Sequence, residues 1–216
     1  MNPAARRLWL RRLALAPAAW WLARAARAQG SFDSGVYRVR GDARINGAPA
    51  RPGAAVSPGD RVVTGPNGEV TFVAGSDAFL VRARADVALG GGALAAGLRV
   101  ATGAVLSVFA PGEARSIRTP TATIGIRGTG IYVEALHGKT YVCTCYGVAD
   151  IEPLDDPGAR ETVRTTHHEQ PRYVMAKGAP QMMMKAPVIN HSDAELALLE
   201  ALVGRRPPFG PDAERY

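Results

Sequence analysis

From Gly35 onward, Gly and Pro break the chain into short runs rich in Val, Ile, Thr and Tyr, and no helical periodicity persists before about residue 190. Runs too short for helices and rich in β-branched residues become strands. They are 36–40, 61–64, 69–74, 78–83, 98–102, 104–109, 117–119, 121–127, 130–135, 139–145 and 147–152. Many alternate: in Glu69-Val70-Thr71-Phe72 and in Thr123-Ile124-Gly125-Ile126, apolar residues stand two apart on one face. Pro66-Asn67-Gly68 predicts a hairpin turn between 61–64 and 69–74, Asn-Gly supplying positive φ. Glycines such as Gly65, Gly103, Gly128 and Gly147 permit sharp corners between runs. Corners this frequent suit a sheet that rolls or coils on itself, so the expectation is an all-β body, a β-solenoid-like or rolled sheet of short strands.

One amphipathic helix is predicted near the C-terminus. Ser192 with Glu195 forms a capping box, and Leu196, Leu199, Leu202 and Val203 share a face before Gly204 and Pro207-Pro208 end the run. A helix this short is marginal alone, so its stripe is expected to pack on the β body. The expected organisation is 29–155 for the β-domain, 156–204 for an extension holding a His/Met-rich segment and the helix, and 205–216 for a trailing tail.

Residues 1–28 read as a cleavable export signal. The basic start MNPAARRLWLRR leads to the apolar run Leu13–Ala23 and to Ala26-Arg27-Ala28, an A-x-A cleavage pattern. That run falls well short of the roughly 20 residues a membrane span needs. Arg6-Arg7-Leu8-Trp9-Leu10-Arg11 resembles the twin-arginine export pattern, with the general secretory route as the alternative. The expected location is periplasmic or secreted, with no stable membrane insertion of the mature chain. This segment also resolves the charge, since it holds six of the 26 Lys+Arg and none of the 19 Asp+Glu. The net +7 thus falls to +1 for residues 29–216, which removes the case for a nucleic-acid partner.

Several segments in order look like one known family. They are Pro58-Gly59-Asp60-Arg61-Val62-Val63-Thr64-Gly65, then Gly68-Glu69-Val70, Gly103–Val108, the run TPTATIGIRGTGIYVE at Thr119–Glu134, and Tyr146-Gly147-Val148. Together they resemble the FecR domain, the periplasmic part of iron-dicitrate sensors that regulate extracytoplasmic sigma factors. The resemblance covers residues 35–152 and is most specific at Thr119–Thr129. It implies a β-solenoid-like fold and a role in binding or scaffolding at the cell envelope. Sensors of that family carry an anti-sigma region and a membrane helix ahead of the domain, whereas residues 1–28 read as cleavable. The expectation is therefore a non-catalytic domain that binds an envelope protein partner or a small ligand. The alternative is a periplasmic regulator of a separately encoded anti-sigma or receptor system. Arg127-Gly128-Thr129 reads either as an anion site or as a strand corner with an exposed Arg.

The unusual chemistry lies elsewhere. All ten Cys, His and Met residues after residue 28 fall between His137 and His191. Cys143 and Cys145, two apart in a strand, point to one face. With His167, His168 and His191 they form a candidate transition-metal set for Zn²⁺ or copper, to which Met182-Met183-Met184 would add thioethers favouring Cu⁺. A Cys143–Cys145 disulfide and a pair of buried free thiols are the competing readings. His167 and His168 are adjacent, so a single site can use both only if the chain kinks there, as Pro171 nearby allows. No catalytic motif accompanies these residues, and no catalytic residue is assigned.

Overall fold

Alternation along the central strands buries both of their faces. In β6 (Asp77–Val81), Phe79 and Val81 enter one core, while Ala78 and Leu80 enter a second. The same division runs through β8 (Gly97–Val108), β10 (Ala122–Leu136) and β11 (Lys139–Pro153). Val105, Ile131, Val133 and Val142 face the first core; Leu106, Tyr132, Tyr141, Cys143 and Cys145 face the second. Sheets buried on both faces need a layer on each side. The first is supplied by the sheet rolling over on itself, and the second by the C-terminal segment.

The computed structural model describes residues 32–90, 97–112 and 114–210; the predicted export signal at 1–28 and the end of the tail, 211–216, lie outside them. The described strands form one 14-stranded sheet that does not close. β1 (Gly35–Arg40) pairs with β5 (Glu69–Ala74), which pairs with β6. β2 (Ala43–Ile45) pairs with β3 (Ala48–Pro49) and with β4 (Arg61–Thr64), and β4 leads through β7 (Asp86–Leu89) to β8. The order continues through β9 (Ala114–Arg118), β10 and β11 to β12 (Glu161–Thr165) on one side, and to β13 (Arg172–Met175) and β14 (Met183–Lys185) on the other. Only the β8–β9 ladder is parallel among the described strands. The sheet is a rolled one, and it continues past residue 155.

Three strands are longer than the sequence runs, because what reads as a break is a bend. β10 joins runs 121–127 and 130–135 through a register shift at Arg127–Gly130, where Gly128 has φ 55°. Its first half pairs with β9 and its second with β8, so the bend carries one strand between two parts of the roll. Opposite it in β11, Gly147 has φ 94° and lies so close to Thr129 that a Cβ would stand 2.8 Å from the Gly128 carbonyl oxygen. Buried Thr129 fixes the bend, its Oγ1 bonding the Arg127 and Val148 carbonyls at 2.9 and 3.0 Å, while Arg127 is exposed. Here the Arg-Gly-Thr trio is a strand corner. The Thr-Pro-Thr-Ala run is likewise scaffold: Thr119 Oγ1 accepts from Ala122 N–H at 2.9 Å, and the Thr119, Thr121 and Thr140 hydroxyls form a buried chain.

The hairpin expected at Pro66–Gly68 is not formed. β4 pairs with β2 and β7, β5 with β1 and β6, and neither Asn67 nor Gly68 has positive φ. The segment is a corner that passes the chain between layers, with Gly68 N–H on the Gly65 carbonyl at 3.0 Å. Both flanking strands were already committed to other partners, and that overrode the turn signal.

Helix α1 (Asp193–Leu202) begins as predicted: the Glu195 carboxylate accepts from Ser192 N–H at 3.0 Å. Leu196, Leu199 and Leu202 are buried in the second core. Arg82 clamps the helix start to the sheet, donating to Glu195 at 2.7 Å, to the Asn190 carbonyl at 3.0 Å and to Glu69 at 3.0 Å. The tail does not trail before residue 210. Arg205 donates to buried Glu200 at 2.6 Å and to the Ser76 carbonyl at 2.7 Å, and Phe209 packs 4.6 Å from the His167 ring.

Candidate functional site

The second core holds one polar cluster of chemical interest. Cys143 and Cys145 project into it from the same face of β11, as their spacing requires. The loop after β12 folds back so that His168 N–H donates to the Cys145 carbonyl at 2.9 Å. His168 has φ 58°, a left-handed conformation uncommon outside glycine. That kink brings both His167 and His168 to the same side. His191 arrives from the segment leading into α1 and stacks on Tyr132 at 4.7 Å. The Sγ atoms of Cys143 and Cys145 and one ring nitrogen each of His168 and His191 all lie within 4.8 Å of one another. Cys143 Sγ is 3.4 Å from His168 Nδ1, and His191 Nε2 is 3.1 Å from the same nitrogen.

The outer nitrogens fix the orientation of both rings. His191 Nδ1 lies 2.6 Å from the Ile189 carbonyl oxygen, which can only accept, so Nδ1 carries the proton. His168 Nε2 lies 3.1 Å from the Asp193 carboxylate and is the donor there. In the neutral rings the lone pairs of His168 Nδ1 and His191 Nε2 therefore face each other and Cys143 Sγ.

The electrostatics of the thiols divide in the same way. A hydrogen bond from Cys145, with help from His168 and His191, outweighs burial and lowers the Cys143 thiol below its ordinary value. Burial and the neighbouring Cys143 push Cys145 well up. For His168, burial opposes the charge, but Cys143 and Asp193 together raise it above the usual imidazole value. Both cysteines are free thiols here.

Of the five expected ligands, Cys143, Cys145, His168 and His191 converge. His167 stands beside them, its Nε2 3.0 Å from Asp193 in a second group with His168. His137 is exposed in the β10–β11 turn. Two of the three methionines of the run are away from the cluster: Met183 packs on the opposite core, and Met184 is exposed in β14. Asp193 was missed, because beside Ser192 it reads simply as an acidic residue of a helix's first turn. Also missed was the buried triad in which Tyr146 donates to Glu200, itself held by Arg205. Only its placement in the helix stripe, next to Leu199, hints that Glu200 is buried.

No protein-family model and no curated protein matches the chain. Among solved structures, two of a candidate anti-sigma factor from Parabacteroides distasonis ATCC 8503 are similar. One has a TM-score of 0.50 at 10% identity, covering 65% of this chain and 64% of that one. The other has a TM-score of 0.48 at 10% identity, covering 58% of each. The chain therefore spans less than two thirds of those proteins' length, and the likeness is one of fold.

Proposed function

We propose that this chain is a non-catalytic, FecR-like regulatory domain that acts in the periplasm by binding a protein partner. The observation that carries the non-catalytic reading is the closure of the Cys/His cluster. Cys143 and Cys145 are 0% exposed, His168 2% and His191 7%, beneath α1 and the segments around it. A Cys–His pair that attacked a substrate would need an open approach to Cys143. The regulatory part of the proposal draws on the FecR-like runs and on the fold shared with the candidate anti-sigma factor. The periplasmic part draws on the export signal read in residues 1–28. No helix among the described residues is long and apolar enough to cross a membrane.

The test is affinity capture from crosslinked envelope extract with the full chain as bait, followed by binding of the purified pair. The expected result is saturable 1:1 binding of a membrane anti-sigma protein or a receptor signalling domain. Recovery of neither, or turnover of thioester and peptide substrates that depends on Cys143, would overturn the proposal.

A further inference from the structure

The Cys/His cluster has the form of a closed metal centre rather than of a catalytic dyad. Four donors from three separate parts of the chain meet in a buried space: two thiols from one strand, one imidazole from the loop after β12, and one from the segment before α1. His168 lies 25 residues after Cys143 and His191 a further 23 after His168, so nothing local brings them together. For Zn–S near 2.3 Å and Zn–N near 2.0–2.1 Å, tetrahedral angles set S···N at roughly 3.5 Å and N···N at roughly 3.3 Å. The observed separations of 3.4 and 3.1 Å are within 0.2 Å of those.

The surroundings match as well. Metal-bound histidines donate their outer N–H to a carboxylate or a backbone carbonyl, which fixes the ring and raises its basicity. His168 does so to Asp193 and His191 to the Ile189 carbonyl. That arrangement aims two lone pairs at each other across 3.1 Å, a repulsive geometry unless a cation lies between them.

We propose that Cys143, Cys145, His168 and His191 bind one Zn²⁺ ion as a closed structural site, with Asp193 positioning His168. Binding expels two protons in all: two thiolates and two neutral imidazoles then surround Zn²⁺, and the centre is electrically neutral. Cu⁺ with the same four ligands would leave a net negative charge in the core, and Met183 on the opposite core and exposed Met184 are not placed to replace a thiolate. The ion ties β11, the His168 loop and the approach to α1 together, so it holds the helix over the second core. This role is independent of partner binding and stands or falls by its own measurements.

The test uses the full chain purified under reducing conditions, first as isolated and then after chelation and reloading. Elemental analysis is expected to give close to one Zn per chain, and chelation to expose two thiols to titration. Reloading with Co²⁺ is expected to give tetrahedral d–d bands with a thiolate charge-transfer band. Asp193→Asn keeps all four ligands and is expected to weaken Zn²⁺ binding by about 10- to 100-fold. His137→Ala is expected to leave it unchanged. Because Cys143→Ser and His191→Ala alter a packed core, circular dichroism at low temperature is measured alongside their metal content. Folded variants that keep one Zn per chain would overturn the proposal. So would a wild-type chain that holds no Zn after reloading, one that takes Cu⁺ in preference, or one isolated with a Cys143–Cys145 disulfide that reduction and Zn²⁺ do not convert.

Discussion

Gly147 shows how single residues set the bends of this sheet. Its φ of 94° strains any residue with a side chain, and an added Cβ would also meet backbone and hydroxyl oxygens at 2.8 and 2.9 Å. Gly178 has a similar φ of 93° with nothing within 4 Å. Gly178→Ala is therefore expected to cost the backbone strain alone, about 1–3 kcal/mol, and Gly147→Ala measurably more. Chemical denaturation of the two variants checks the difference. A second residue-scale effect depends on pH. Arg61 holds Asp86 in a two-pronged ion pair at 2.7 and 2.5 Å, and that hydrogen bonding lowers the carboxyl below its ordinary value. A carboxyl lowered on folding stabilises the native state above its unfolded pKa of about 4, and that contribution is lost as pH falls through the folded value. Asp86→Asn is expected to lower Tm slightly at pH 7, since Arg61 is largely exposed, and the gap from wild type is expected to close in strong acid. Melting curves from pH 7 downward read this directly.

At the scale of elements, helix α1 was the most legible part of the chain and the most consequential. Its capping box and Leu stripe are local signals, and both are in place. What they could not reveal is that the stripe lands on β6 and β8, in the core that also takes in Cys143 and Cys145 of β11. Leu199 is fully buried there, so Leu199→Ala is expected to cost about 2–5 kcal/mol, measured by denaturant unfolding. The same variant is expected to speed proteolysis between residues 186 and 205 before the sheet is cut, because the helix covers the sheet without being part of it. The strands were legible in a different sense. Alternation located most of them, but β2, β3, β7 and β12–β14 are too short or too polar to stand out. Runs that seemed separate, at 121–127 and 130–135, are one strand. A bulge and a loop look alike in sequence, because each needs only a glycine; what distinguishes them is whether a neighbouring strand pairs on both sides.

For the whole molecule, the division is one of range. Legible in the residues alone were the all-β body, the single C-terminal helix, the near-neutral charge after residue 28 and the clustering of Cys, His and Met between 137 and 191. Each of these follows from composition or from periodicities of two to four residues, which are properties of a few neighbouring side chains. The common face of Cys143 and Cys145 belongs to the same class. Tertiary structure alone decided the roll of the sheet, the conversion of the Pro66–Gly68 hairpin signal into a corner, and the choice of histidines. His168 and His191 join the cysteines because a left-handed kink and a helix approach carry them there, while His167 stands beside the cluster on Asp193. Convergence of that kind depends on which distant segments pack together. The free energy that selects it comes from burying Leu196, Leu199, Tyr132 and Tyr141 in one core, and no local pattern encodes that sum.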